Sequence, residues 1–272
     1  MASRRIAALE EHFGGRLFDR SARRAALTAF GRDMLPSAKR LVQLAESLEH
    51  HAEQAKLRPL SLGVPETCSV RLLAVLDAAA RGQGTVLDFR SAGPAERAEL
   101  LRSGQVRAAL LAVPPADADW TVPLGVAAPP GPGSEPVYLE TLRPSRAERS
   151  FRRIWIQPED DVPHVRDRLE QMGHRAALMP AQVTVAASMI AAASETMRAG
   201  DFLLCSPPQA DEFGLRWREL AGAPVARGYS LAAVTGDDAG RLTTGLRDHL
   251  ARTLGAPGRS VRPGRAQGRA RA

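Results

Sequence analysis

The sequence predicts an α/β protein made of three unlike pieces: a short basic end piece, one long helix, and a body of two similar lobes. Three observations carry that expectation. Residues 4–31, RRIAALEEHFGGRLFDRSARRAALTAFG, hold a helical apolar spacing, a glycine stop and a basic turn. Residues 34–55 repeat apolar side chains in steps of four and three. From residue 60 onward, strand-like and helix-like stretches alternate in two rounds, which implies an open sheet covered by helices.

The end piece comes first. Ile6, Leu9 and Phe13 recur at helical spacing, Gly14-Gly15 stops the helix, and Leu17-Phe18 forms a short apolar anchor. SARRAALT then makes a compact turn, and Thr28 is placed to cap a helix starting near Phe30. A helix, a tight turn and a basic hairpin form the end piece of a winged DNA-binding unit. Arg4 and Arg5 at the helix start suit phosphates or base edges, and Arg23 and Arg24 in the turn suit the minor groove or the backbone. Charge alone leaves a plain solvated surface equally open. A reading helix needs a bracing helix, and the expectation is that no room exists for one before Met1.

Met34, Ala38, Leu41, Ala45, Leu48, Ala52 and Ala55 form the stripe of the long helix, which ends near Leu57 because Pro59 cannot continue it. Such a stripe must be buried against a second copy or against its own body. The second copy is the favoured reading, and it makes these seven residues the dimerisation surface.

In the body, LSLGV (60–64), TVLDF (85–89) and VRAALLAV (106–113) read as strands, with helices from Thr67 or Ser69 to Gly82 and over PAERAELLRSG. Residues 65–69 and 91–94 leave the first two strands at the carboxyl edge of the sheet, where ligands bind in open α/β folds. Proline and glycine crowd residues 114–136, a turn-rich crossing with a short strand at Trp120, Val122 and Leu124. The second lobe opens with the strand RIWI (153–156), followed by an amphipathic helix carrying Val165, Leu169 and Met172. A Pro180-interrupted strand, a second helix and the strand DFLLCSP follow. A return crossing near 223–227 leads to a strand at 228–234 and a terminal helix over 240–255.

The 272 residues allow one large domain or two moderate ones, with Leu, Val and Ala cores because aromatics are only 4%. Net charge is +7, and Arg259 to Arg271 alone supplies +5 without an acidic residue. That tail, counted from residue 256, is expected to be unstructured, either binding DNA weakly or acting as a solubilising end. Two cysteines give neither a disulfide framework nor a zinc spacing, and the amino terminus has no apolar run behind its charges. The expectation is a cytoplasmic protein with no membrane segment.

No motif nominates a catalytic or metal site. The six histidines lack ligand spacing, no phosphate loop occurs, and Gly222, Gly228 and Gly236 are too scattered for a dinucleotide fingerprint. Glu159-Asp160-Asp161 reads as charge at a loop and helix start. Cys68, at a helix beginning on the ligand edge, is placed where a thiolate is favoured, although a buried inert thiol is equally open. Cys205 reads as structural. Arg71 and Arg90 are candidate cations at the cleft edge, with surface exposure the favoured reading.

SRRIAALEEHFGGRLFDR (3–20) and RRAALTAFG (23–31) resemble the LysR-type bacterial transcription regulators, which typically show S-x-x-I-x-x-L-E-x-x-L-G-x-x-L-F-x-R, a basic turn and L-T-x-x-G. The resemblance implies the end of a winged helix-turn-helix over 1–31, lacking its first helices, and a dimerising linker helix over 32–58. It then implies a two-lobed, periplasmic-binding-protein-like effector domain over 59–255, with the first lobe at 59–127 and 228–255 and the second at 128–227. By that likeness Ser3, Arg4, Arg5, Arg23 and Arg24 contact DNA, and Glu10 with Arg20 gives local ionic support. Thr67, Cys68, Ser69, Ser91, Ala92 and Gly93 form the first-lobe edge of the effector cleft, and Gln182 and Val183 the second-lobe edge. The expected partners are double-stranded DNA (if the winged unit is complete), a second copy in a dimer or tetramer, and a small-molecule effector, with no cofactor. The expected function is ligand-responsive regulation without turnover. A modulator pairing through the linker without specific DNA binding is the alternative, and a small-molecule-binding protein or enzyme on the two-lobed fold is the third reading.

Overall fold

The structure, a computed structural model, describes residues 2–19, 26–57, 59–131, 135–144, 151–222 and 224–257. The chain divides into two compact units, Met1–Arg58 and Pro59–Ala272.

The first unit begins with α1 (Ala2–Phe13), which Gly14 ends at φ +68°, a left-handed conformation natural to glycine. β1 (Phe18–Asp19) and β2 (Ala26–Leu27) pair antiparallel, with Phe18 opposite Leu27. Thr28 then caps α2 (Ala29–Leu57). Its Oγ1 accepts from the Gly31 amide at 3.0 Å and donates to the Arg16 carbonyl at 2.5 Å, so one hydroxyl ties the hairpin to the helix. Gly31 is obligatory there, because a Cβ would run into the Leu17 carbonyl. Glu10 Oε1 accepts the Leu17 and Phe18 amides at 2.8 and 3.1 Å, bracing the turn. Its expected ionic partner, Arg20, lies outside the described residues, as do Arg23, Arg24 and the tail from residue 258. Leu9 and Phe13 are 46% and 45% exposed.

Along α2, Leu41 and Leu48 are 69% and 68% exposed, and Leu44 and Val42 add apolar surface beside them. Met34 is half-buried, while Ala38 and Ala45 are exposed. Ala52 and Ala55 lie within the helix, where the side chains are not described. Pro36 sits inside the second turn and has no amide hydrogen to give the Arg32 carbonyl.

In the second unit, β3 (Leu60–Pro65), α3 (Val70–Arg81), β4 (Leu87–Ala92), α4 (Pro94–Arg102) and β5 (Ala108–Val113) make the first lobe, with β3 parallel between β4 and β5. β4 starts later than the sequence suggests because the end of α3 holds its approach. The Thr85 amide bonds the Ala80 carbonyl, and the Leu87 amide bonds Asp77 Oδ1. β6 (Trp120–Ala128) then crosses to the second lobe as a nine-residue strand, longer than the short one expected there.

That lobe contains β7 (Ile154–Ile156), α5 (Pro163–Arg175), β8 (Val183–Val185), α6 (Met189–Ala199), β9 (Phe202–Cys205), α7 (Pro207–Glu212) and β10 (Arg216–Arg218). β11 (Val225–Ala233) returns to the first lobe. The terminal helix expected over 240–255 is two helices, α8 (Gly236–Thr243) and α9 (Arg247–Leu254), because Gly245 between them adopts φ +77°.

The strand order is β4-β3-β5-β11-β6-β9-β7-β8, with β10 also on β6. β11 is antiparallel to both β5 and β6, and at Gly228 it faces Val113 on one side and Thr121 on the other. A Cβ on Gly228 would collide with the Val113 carbonyl, so the strand can change neighbours there only as glycine. Each lobe has its own apolar core, one around Leu62, Leu76, Leu110 and Leu250, the other around Val126, Ile156, Leu169 and Phe202. β3 is buried almost along its whole length, as a parallel strand covered on both faces must be. Among the described residues no helix is long and apolar enough to cross a membrane.

Candidate functional site

The loop after β3 runs through Thr67 and Cys68 to Ser69, the residue preceding α3. Ser69 is extended, at φ −64° and ψ 133°, and its side chain makes no capping bond, so the first turn of α3 has no hydroxyl on its amides. This loop, the start of α7 and the end of α9 enclose a cavity of about 420 Å³. Thr67, Ser69 and Arg71 line it from the first lobe, and Ser206, Gln209 and Asp211 from the second. Thr253 and Gly255 close it from α9, and Arg227 reaches it from the crossing strand β11. Its size falls in the range of small-molecule clefts.

Beside the cavity lies a buried polar seam between the lobes. Arg227 Nε and Nη2 donate to Asp160 Oδ1 and Oδ2 at 2.6 and 2.8 Å. Arg97, on α4, donates from Nη1 and Nη2 to Glu159 Oε2 and Oε1 at 2.8 Å each. Arg97 also donates to the Leu110 and Ala92 carbonyls, so its guanidinium is clasped from several sides at zero exposure. Tyr229 donates its hydroxyl to Glu159 Oε1 at 2.9 Å. Gln209 Nε2 donates to Gln157 Oε1 at 3.1 Å, and Gln157 Nε2 to the Leu204 carbonyl at 2.9 Å. The two arginine–carboxylate contacts are charge-assisted and two-pronged and lie almost fully buried, the geometry in which an ion pair is most directional.

The seam sets the titration of its members. Burial pushes Asp160 above the ordinary carboxyl range, and the Arg227 guanidinium opposes that rise. Burial works against the charge on Arg227, but Asp160 outweighs it and holds the guanidinium above its usual value. Tyr229 is raised well above its ordinary value by burial and by Glu159.

Several expected site residues fall elsewhere. Thr67 and Ser69 line the cavity, and so does Arg71, for which plain surface was favoured. Arg90 is exposed, 3.7 Å from Asp88. Cys68 is buried, and burial together with Glu159 raises its thiol to about 12, the reverse of the activated thiolate that the helix start suggested. Cys205 is also buried and raised to about 12. Ser91, Ala92 and Gly93 do not reach the cavity: the Ala92 carbonyl holds Arg97, and Gly93 leads into α4.

Gln182 and Val183 are also absent from that cavity. The Gln182 amide is spent on the Leu142 and Arg152 carbonyls and the Met179 amide, which fixes a loop. Val183 lines a separate cavity of about 250 Å³ with Gly173 and Leu178. The second lobe contributes through α7 instead, a helix the sequence reading did not separate from its preceding strand.

Glu159-Asp160-Asp161 stands just before α5, where charge at a loop and helix start is expected, but two of the three are buried in ion pairs. Glu159 and Asp160 are 5% and 0% exposed, while Asp161 pairs with Arg166 at 2.6 Å outside the seam. A signal existed: Arg97 lies on the face of α4 that carries Leu100 and Leu101, and Arg227 is the one charged residue in the strand β11. Among the described residues no cluster of His, Cys, Asp and Glu could hold a metal ion. In the first unit, Arg4 and Arg5 are exposed on α1, and Ser3 lies within the same helix.

Comparison with known proteins identifies these parts. The family described as bacterial regulatory helix-turn-helix protein, lysR family, matches residues 1–32. The HTH-type transcriptional regulator BlaA of Streptomyces cacaoi is 51% identical over 257 residues, covering 94% of this chain and 79% of that protein. The fold resembles a full-length OxyR variant from Pseudomonas aeruginosa (TM-score 0.60, 17% identity, 90% of this chain and 88% of that one). It also resembles full-length LysG from Corynebacterium glutamicum with bound effector Arg (TM-score 0.57, 21% identity, 92% and 88%). CbnR in complex with its target DNA has the same fold (TM-score 0.51, 20% identity, 93% and 88%). With half of its residues shared across the end piece, the long helix and both lobes, the chain belongs to the LysR family of bacterial regulators.

Proposed function

We propose that this protein is a ligand-responsive transcription regulator that acts without chemical turnover. The observation that carries the reading is the 51% identity to an HTH-type transcriptional regulator, which runs through 94% of the chain. The exposed arginines of α1 serve DNA, the exposed Leu41 and Leu48 face of α2 pairs two copies, and a small molecule sits in the cavity at the seam of the lobes. A ligand touching both lobes favours one lobe arrangement by its differential affinity, and the long helix carries that preference toward the DNA-binding end. A regulator of this kind works in the cytoplasm, beside the chromosome.

The test is chromatin immunoprecipitation of the protein tagged at its own locus. Discrete enrichment at one or a few promoters is expected. Uniform recovery, no different from an untagged strain, would refute DNA-directed regulation.

A second reading is favoured by the exposure of Leu9 and Phe13 on α1: a modulator that pairs through α2 and binds no specific DNA. It predicts a stable dimer or heterodimer in solution together with a negative immunoprecipitation.

A further inference from the structure

We propose that the cavity takes a zwitterion, a free amino acid or short peptide whose carboxylate and ammonium ends are held by opposite lobes; this rests on the reading of the cavity as the effector site. The charges around it are sorted by lobe. Arg71 on α3 and Arg252 on α9 stand on the first-lobe side, and Asp211 and Glu212 on α7 stand on the second-lobe side. All four side chains are exposed, and among the described residues none makes an ion pair or a hydrogen bond.

Elsewhere in this unit oppositely charged neighbours are joined, including Arg97 with Glu159, Arg227 with Asp160 and Arg107 with Asp238. A cavity bordered by two cations and two anions that leave each other alone offers two complementary ends to a third party.

The interior fits the same ligand. Thr67 and Ser69 lie beside Arg71 at the start of α3, whose amides carry no side-chain cap, so hydroxyls, a guanidinium and a helix amino end converge where a carboxylate belongs. Ser206, Gln209 and Thr253 are buried along the wall and make it polar, with their side chains held by one another, by Gln157 and by the His249 carbonyl. Arg227 is already neutralised by Asp160 and adds no free charge. A polyanion is disfavoured, because it would face Asp211 and Glu212 without a counter-charge, and a purely apolar ligand would match none of the four charges.

Titration calorimetry on the full chain tests the assignment. The probes are glycine, alanine, lysine, glutamate, diglycine and triglycine, together with N-acetyl and C-amide forms of triglycine and with succinate. Saturable heat is expected from at least one zwitterion. Either blocked form of triglycine should bind at least about tenfold more weakly than its parent, the loss of one charge-assisted contact. Arg71→Ala and Asp211→Asn change exposed side chains, so they should keep the fold by circular dichroism and reproduce the two losses separately.

Equal binding of the blocked and free peptides, or no heat from any zwitterion, would overturn the proposal. Loss of binding with only a change in melting temperature of the free protein would show that the charges bridge the lobes directly, which also overturns it. Binding of succinate alone, abolished by Thr67→Trp, would reject the zwitterion while leaving the effector site standing.

Discussion

Removing the Glu159 carboxylate is the sharpest test of the buried seam. In Glu159→Ala, Arg97 loses both of its contacts to the carboxylate while remaining at zero exposure, and the Tyr229 hydroxyl loses its 2.9 Å acceptor. Breaking one side of a buried ion pair costs about 3–5 kcal/mol, because the surviving charge is left without a partner. The orphaned tyrosine hydroxyl alone would cost about 1–3 kcal/mol. The two losses share one carboxylate and do not add. The expected total is therefore about 3–5 kcal/mol, which for a body of this size lowers the melting temperature on the order of 6–20 °C.

Urea unfolding followed by circular dichroism measures it on the full chain. The double variant Arg97→Met, Glu159→Leu should recover most of the loss, since an apolar pair removes the unmatched charge. A cost below about 1 kcal/mol for Glu159→Ala, the range of exposed ion pairs, would refute the claim that the seam is buried and paired.

Four further outcomes are expected. Leu41→Glu with Leu48→Glu puts charge on the apolar face of α2 and should convert a dimer to monomer in sedimentation velocity; an unchanged mass would remove the pairing face from α2. With Cys68 raised to about 12, only on the order of one thiol in ten thousand is ionised at pH 8. Disulfide-exchange labelling should be slow in the folded protein and fast in urea, and equal rates would contradict the burial.

His164 is lowered by burial, against the pull of Asp160, so the unfolded chain takes up its proton first as pH falls through about 6.5. Stability should therefore drop between pH 7 and the lower folded value, with a shallower slope in His164→Gln; parallel slopes would show that the imidazole is not responsible. Gly31→Ala forces a Cβ against the Leu17 carbonyl and should cost the first unit about 1–3 kcal/mol, read by limited proteolysis of the hairpin.

Local signals in the sequence were enough for what depends on neighbours in the chain. Thr28 as a cap, Gly14 as a stop, the exposed leucines of α2 and the alternation of strands and helices all rest on spacings within a few residues. What stayed hidden depends on distance. Glu159 and Asp160 find their partners 62 and 67 residues away, and no window along the chain shows that two carboxylates will meet two guanidiniums in a buried seam.

β6 was masked by its own composition, since Pro123 and the prolines nearby suggest a loop. α7 opens on two prolines that look like a break but serve as a helix start after Ser206. The likeness places the second-lobe edge of the cleft at Gln182 and Val183, and no local signal marks that the Gln182 amide instead holds two backbone carbonyls.

The two lobes are joined along the chain by β6 and β11, laid side by side from Trp120–Leu124 to Val225–Tyr229 as one hydrogen-bonded ribbon. Such a ribbon resists sliding, because each step of slip breaks a rung, yet it bends and twists with its rungs intact. Movement of one half of the body against the other is therefore steered into few directions, like a door on a spring hinge. The pin of that hinge is Arg227, which lies in the ribbon opposite Val122 and grips Asp160. Stiffening or loosening this strip away from Arg227, its one contribution to the cavity wall, would retune how far the whole body swings while leaving that wall unchanged.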